Sequence, residues 1–359
     1  MSAVKLRDRD AIVTKEGLIF RVLGYSHPPE ACICDVEYAP AKLFTSDNPK
    51  AYRSNGTYIF YKFYGDEGWN FIRKNFLQYM IPHGMLGKNV LGVNRLDILE
   101  VLKPEERLAK LVEGESKDAL VLSMQNVLEF VMLHSELSAN VFGVFGSMLY
   151  GFHHPKFSDI DLIIYGRNQA VKLIETLSEL YTDHSTLFHN EFDTDQSIRG
   201  KSWLFKNYSL KEFLEHQRRK LIYALFNSRK SDRIIKTEFE PVRDWKEIQN
   251  EYDSGTKILQ RGWVDMVARI TEDDDGFFIP SIYGIEPLQV MSGVKEAAET
   301  RRIISYMEEF RLQARKDEKV RIVGNLEEVV NSKGSFYQVI LTYCLRYYEQ
   351  VLKVATEKS

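Results

Sequence analysis

Apolar and polar residues alternate with different periods along the chain, and the periods divide it into three stretches. Residues 1–112 contain short apolar runs separated by turn residues, such as Ala11–Val13 and Leu18–Leu23 on either side of a glycine-containing turn. Two such runs around a short turn are typical of a β-hairpin. The aromatic run Thr57–Tyr64 predicts a further strand, and Glu67–Tyr79 has apolar residues at helical spacing.

The middle stretch, residues 113–245, alternates between helical and strand periods. Asp118–Leu133 and Asn168–Tyr181 carry apolar residues every three or four positions, which indicates helices. Val141–Phe145 and Ile160–Tyr165 are short apolar runs of the length of buried strands. This order predicts a compact α/β domain.

The last stretch, residues 246–359, is again dominated by strands. The candidate strands are Trp263–Ile270, Phe277–Tyr283, Val320–Val323 and Phe336–Thr342. Tyr343–Val354 has the spacing of a final helix. We therefore predict an α/β (α+β) core with a mixed sheet at residues 113–245. A strand-rich α+β domain at residues 1–112 and a strand-rich domain at residues 246–359 would flank it.

The composition is that of a globular protein, with 359 residues, 44% hydrophobic and 28% charged. Its 48 basic and 51 acidic side chains nearly cancel, which argues against a protein that coats nucleic acid by bulk charge. Three cysteines make no disulfide framework, so we expect a reducing cytoplasm. Cys32 and Cys34 are interpreted as core residues rather than zinc ligands. No apolar run is long enough to span a bilayer, and no membrane partner is expected.

Chemistry is concentrated in residues 142–166. A short apolar strand ends at Gly146-Ser147, where the missing side chain lets backbone N–H groups approach a bound phosphate. Asp159 and Asp161 follow, separated by one apolar residue, so a strand places both carboxylates on one face. Two crowded carboxylates repel unless a cation lies between them, and Mg²⁺ prefers carboxylate and phosphate oxygens.

This ordered combination resembles the signature of the DNA-polymerase-β-like nucleotidyltransferase superfamily. The resemblance implies that Gly146 and Ser147 hold the triphosphate and that Asp159 and Asp161 bind Mg²⁺, with Mn²⁺ as a substitute. The whole chain also resembles a group of uncharacterised archaeal proteins thought to be nucleotidyltransferases. One departure is that Met148 to Tyr150 follow the turn, where family members often place small and basic residues.

Other residues are expected to complete the nucleotide site. Lys156, His153 or His154 would supply the positive charge missing after the turn, and Ser158 is grouped with Lys156 as nucleotide-binding. The aromatic residues of Thr57–Tyr64 could stack on bases, but the two faces of a buried strand are the better interpretation.

The superfamily completes its metal site with a third carboxylate on a later strand. Glu238 fits best, because it lies between Thr237 and Phe239 in an alternating run. Glu240 is the next candidate, although Pro241 is expected to end the strand there. Glu191 and Asp193 form a third possibility.

A basic helix is predicted at residues 213–223, followed closely by Arg229, Lys230 and Arg233. Arg218, Arg219 and Lys220 are its acceptor-binding candidates, against the alternative of a solvated helix face.

Together these features predict transfer of a nucleoside monophosphate from a triphosphate, with ATP as the first guess, to an acceptor hydroxyl. RNA is the first-guess acceptor. The alternatives are an enzyme that modifies a protein or a small molecule, and a catalytically inactive RNA-binding relative. The sequence leaves the nucleotide, the acceptor and the oligomeric state open.

Overall fold

The computed structural model describes residues 5–183, 185–194, 204–228 and 233–355. The chain forms two compact units, the first from residues 1–83, 88–176 and 226–252, the second from residues 84–87, 177–225 and 253–359. The first unit therefore contains parts of the predicted N-terminal and central domains. The predicted three-domain division, with borders near residues 112 and 245, stays a prediction.

An eight-stranded sheet forms the N-terminal part of the first unit, in the order β4-β5-β3-β2-β1-β8, with β7 pairing to both β3 and β6. Its strands are β1 (Ala11–Thr14), β2 (Ile19–Val22), β3 (Ala31–Pro40), β4 (Tyr52–Ser54), β5 (Ile59–Lys62), β6 (Met80–His83), β7 (Lys88–Asn94) and β8 (Ile98–Leu102). The predicted hairpin is confirmed, because β1 and β2 pair antiparallel with Val13 opposite Ile19. Cys32 and Cys34 lie in the apolar core beneath this sheet.

One helix of this region is shorter than its apolar spacing predicts. Helix α1 (Glu67–Asn75) ends at Phe76, whose φ of −142° leaves the helical region. A separate 3₁₀ turn at Leu77–Tyr79 carries the last predicted helical residues. Tyr79 is buried against Phe20, with ring centroids 5.1 Å apart, so packing on the sheet takes the place of another helical turn.

A second sheet of the first unit runs in the order β12-β13-β10-β9. Its strands are β9 (Phe142–Val144), β10 (Ile160–Tyr165), β12 (Tyr223–Ser228) and β13 (Arg233–Val242). The helices of this region are α2 (Pro104–Glu113), α3 (Ala119–Ser135), α4 (Gly146–Leu149) and α5 (Arg167–Thr182). Asp118 caps α3 by accepting hydrogen bonds from the backbone N–H groups of Leu120 and Val121, at 2.8 and 3.1 Å. The predicted α/β order of this stretch is confirmed.

The expectation that Pro241 ends its strand is wrong. Strand β13 continues to Val242, and Pro241 lies opposite Ile164 of β10. A proline removes only one backbone donor, so its neighbours can still pair. The amide of Gly166 donates to the carbonyl of Val242 at 2.8 Å, which holds the strand beyond the proline.

The second unit contains a six-stranded sheet in the order β14-β15-β16-β18-β17-β19, which closes on itself because β14 also pairs with β17. Its strands are β14 (Lys257–Asp275), β15 (Ser281–Ser292), β16 (Thr300–Ser305), β17 (Lys319–Asn331), β18 (Gly334–Leu341) and β19 (Val351–Val354). The same unit holds β11 (Phe188–Asn190) and helix α6 (Leu210–Lys220). Alternate residues of β14, including Val264, Met266 and Ala268, are fully buried in its core.

The helix predicted at Tyr343–Val354 is wrong. The segment contains a 3₁₀ turn at Tyr347–Glu349 and then β19, in which Val351 lies opposite Val323 of β17. Its apolar residues therefore enter the core as a strand, and this pairing overrides the local helical spacing.

Candidate active site

The Gly146-Ser147 turn directly follows β9 and lies against the acidic strand. The amide of Phe145 donates to the carbonyl of Asp161 at 2.8 Å, and Gly146 then has a φ of +60°. A β-carbon on Gly146 would collide with the carboxylate of Asp161. Both the left-handed backbone and the close approach require glycine here.

The two aspartates lie at the start of β10. Asp159 is exposed just before the strand, and Asp161 is half-buried within it. Ile160, Leu162 and Ile164, which alternate with Asp161, are fully buried, as expected for the face that anchors the strand. The strand therefore presents its carboxylates from a rigid base.

The carboxylate of Asp161 lies in an unfavourable environment for its charge. Burial raises its pKa to about 7, and the neighbouring charges of Glu240 and Asp159 act in the same direction. Arg9 and Lys62 act in the opposite direction without cancelling the effect. A cation at this position would relieve the repulsion.

The donor atoms fit a hard divalent cation, because the acidic strand offers carboxylate oxygens only. Within the described residues, no three His, Cys, Asp or Glu side chains already have metal-binding geometry. Mg²⁺ is usually held in enzymes by one or two carboxylates together with substrate phosphates and water. The residues present therefore fit a metal that binds with its substrate rather than a closed structural site.

The parallel pairing of β10 and β13 separates the candidates for the third carboxylate. Glu238 is the register partner of Asp161, whereas Glu240 lies opposite Ile163, one step further along the strand. Directly paired residues lie on the same face of a sheet. Glu240 is only 5% exposed and forms an ion pair with Arg9, while Glu238 is half-buried. Glu191 lies in the second unit, in a 3₁₀ turn with Asp193.

We define the acidic site as Asp159, Asp161 and Glu238 together with the Gly146-Ser147 turn. All of these residues belong to the first unit.

The sequence reasoning missed Arg9, which is fully buried beside the acidic site. It pairs with Glu240, lies 3.7 Å from Asp8, and stacks over the ring of Phe145 at 5.1 Å from its centroid. The whole run from Arg7 to Asp10 is buried. A sequence signal existed, because four alternating charges stand immediately before an apolar strand.

Lys156 and Ser158 lie on the loop between the turn and β10. Lys156 is exposed, and the hydroxyl of Ser158 accepts from the amide of His154 at 2.9 Å. Arg233 holds this loop by donating to the carbonyls of Lys156, at 2.6 Å, and of Ser158. Arg229 and Lys230 lie outside the described residues.

The basic residues of α6 all have partners within the second unit. We call Arg218, Arg219 and Lys220 the basic helix end. Lys220 is 1% exposed and donates to the carbonyl of Glu309 at 2.6 Å. Arg219 pairs with Glu318. Arg218 donates to the carbonyl of Phe192 at 3.2 Å and lies 3.4 Å from Asp193.

Residues 135–240 match the nucleotidyltransferase domain family. The chain contains a nucleotidyltransferase domain. It includes the Gly-Ser turn, both aspartates and both candidate glutamates of β13, and it confirms the resemblance inferred from the motif. This domain type supports the general activity of nucleotidyl transfer.

Beyond the domain, the chain is similar to an uncharacterised protein of Methanocaldococcus jannaschii. The two are 24% identical over 341 residues, which cover 94% of this chain and 95% of the relative. No solved structure matches. None of the described helices is both long enough and apolar enough to cross a membrane.

Proposed function

We propose that the protein transfers a nucleoside monophosphate from a nucleoside triphosphate, ATP in the first instance, to an acceptor hydroxyl. The observation that carries this proposal is the juxtaposition at the acidic site. A glycine turn that excludes any side chain lies against Asp161, and Glu238 lies beside Asp161 in register on the neighbouring strand.

Each residue has a distinct part in the proposed reaction. The backbone of Gly146 and Ser147 binds triphosphate oxygens, with Lys156 and Ser158 on the adjoining loop. Asp159 and Asp161 hold Mg²⁺, for which Mn²⁺ could substitute, and Glu238 completes this set. When bound, the metal neutralises charge on the phosphate oxygens and lowers the barrier to displacement.

The bond changes follow from an in-line displacement. The acceptor oxygen forms a bond to the α-phosphorus while the bond between that phosphorus and the α–β bridging oxygen breaks, and pyrophosphate leaves. Glu238 accepts the proton of the acceptor hydroxyl. Its half-buried position leaves it open to such a substrate, whereas Glu240 is occupied by Arg9.

RNA is the acceptor we propose first. The support is the side-chain exposure of Arg218 and Arg219, 47% and 30%, which leaves their guanidinium groups partly open to phosphates. Lys220 is left out of this proposal, because it is buried. A cytoplasmic location would give the protein both RNA and ATP.

The test is incubation with each α-labelled nucleoside triphosphate, Mg²⁺ and total cellular RNA or protein. We expect label in the RNA pool, sensitive to ribonuclease and absent with Asp161→Asn. Label in the protein pool, resistant to ribonuclease, would support a protein-modifying nucleotidyltransferase. Label in neither pool nor in small molecules, despite RNA binding, would indicate a catalytically inactive relative.

A further inference from the structure

The turn that would bind the triphosphate has no cation of its own. Met148, Leu149 and Tyr150 follow it, and all three are buried. Burial lowers the pKa of His153 below its ordinary value, so this imidazole is neutral at pH 7. Arg9 is fully buried and paired with Glu240. A triphosphate placed at this turn therefore needs a positive charge from elsewhere.

An aromatic cluster joins the N-terminal sheet to the chain just after the turn. The ring of Tyr38 on β3 lies 5.0 Å from that of Tyr150 and 5.3 Å from that of Phe152, measured between centroids. Phe60 on β5 lies 4.9 Å from Phe152. The hydroxyl of Tyr150 also donates to Glu37 at 2.6 Å. Strands β3 and β5 are therefore packed against the segment that follows the Gly-Ser turn.

This packing orients Lys62. Lys62 is two residues after Phe60, so both side chains lie on the same face of β5. It is also the register partner of Tyr38, and directly paired residues share a face. Lys62 thus lies on the face that contacts residues 150–152. Its charge acts on Asp161 and lowers the pKa of that carboxyl, which agrees with its position beside the acidic site.

We propose that Lys62, delivered by the N-terminal sheet, binds the triphosphate of the nucleotide and supplies the cation that the Gly-Ser turn lacks. This inference rests on the proposed function. Lys62 is half-buried, so its stem is fixed by the aromatic cluster while its ammonium group can reach a ligand. It is the one cation in the aromatic run Thr57–Tyr64, a signal visible in the sequence.

A different role for Lys62 must be separated from this one. Lys62 could serve only to compensate the charge of Asp161, without touching a substrate. In that case its removal would leave triphosphate affinity unchanged. Phosphate binding predicts instead that affinity falls, and that arginine restores it because a guanidinium group also binds phosphate.

The experiment measures binding of ATP and of inorganic tripolyphosphate to the full chain with Mg²⁺, by calorimetric titration. We expect Lys62→Met and Lys62→Gln to weaken both ligands by about tenfold to a hundredfold, the effect of losing a hydrogen bond to a charged group. Lys62→Arg should retain most of the affinity. The control is Lys74→Met, an exposed lysine in the last turn of α1, which should bind like the parent.

The outcomes separate this inference from the proposed function. If the parent binds ATP and the folded Lys62→Met and Lys62→Gln variants bind it equally well, the inference about Lys62 is wrong and the proposed function stands. If the parent binds neither ATP nor tripolyphosphate, both fail together. Thermal unfolding of each variant establishes that a loss of binding is not a loss of folding.

Discussion

The acidic site of the first unit and the basic helix end of the second unit look equally suggestive as charge clusters, yet they differ in how their charge is compensated. Each cation of the basic helix end has an acidic or carbonyl partner in its own unit, and Lys220 is buried. At the acidic site, burial and like charges raise the pKa of Asp161 to about 7 despite Arg9 and Lys62.

The difference shows which charges are candidates for function. A compensated charge is explained by the stability of the fold, because its partner satisfies it. A carboxylate that the fold holds against its own charge costs stability, and such groups concentrate at functional sites. We therefore expect substitutions at the acidic site to affect chemistry strongly, and substitutions at the basic helix end to have smaller effects.

The largest effect is expected for Asp159→Asn and Asp161→Asn. Each should lower nucleotidyl transfer by more than about a thousandfold, because each removes a proposed metal ligand. Loss of one carboxylate from a repelling pair should leave the metal-free protein at least as stable as the parent. Labelled-nucleotide transfer and thermal unfolding measure the two effects. Asp47→Asn, an exposed carboxylate, is the control. Near-normal turnover of either variant at saturating Mg²⁺ would remove the catalytic assignment.

The next effect separates Glu238 from Glu240. Glu238→Gln should lower turnover by about a hundredfold with little change in unfolding temperature, because it removes a proposed proton acceptor. Glu240→Gln should instead destabilise the protein by about 3–5 kcal/mol, since it leaves the buried Arg9 without its carboxylate. Transfer kinetics and denaturant unfolding provide the two measurements. The reverse pattern would assign the third carboxylate to Glu240.

Gly146→Val should weaken nucleotide binding by more than about tenfold, because the new side chain meets the carboxylate of Asp161. Gly87→Val is a matched control. Gly87 has the same φ of +60°, but its added β-carbon would meet nothing within 4 Å. Direct nucleotide titration should therefore show a loss for Gly146→Val only. Equal affinities in two folded variants would show that the turn does not hold the triphosphate.

The smallest effect is expected for the double variant Arg218→Ala, Arg219→Ala. If both guanidinium groups contact RNA phosphates, binding weakens at all sequences, and the log–log salt dependence flattens by about 0.7–0.9 per contact. Anisotropy titrations at several salt concentrations measure this slope. Lys211→Ala, on the exposed side of the same helix, is the control. An unchanged slope would leave the basic helix end as structure and favour a protein or small-molecule acceptor.

What the sequence determined by itself is local. The order of Gly146-Ser147 and Asp159-Ile160-Asp161, the capping of α3 by Asp118 and the hairpin of β1 and β2 all follow from side-chain spacing within a few residues. These features depend on alternation and on caps, which neighbouring residues decide. They were sufficient to predict a nucleotidyltransferase domain.

The tertiary structure decided which distant residues meet. The parallel register of β10 and β13 places Glu238 rather than Glu240 opposite Asp161, and no local pattern specifies that register. The same is true of Arg9 beside Glu240, and of β19, whose pairing with β17 overrides a helical spacing. Strand register is set by the burial of whole faces, because a slip of one residue would exchange the core face for the solvent face. That energy is a property of the packed sheet, not of either strand alone.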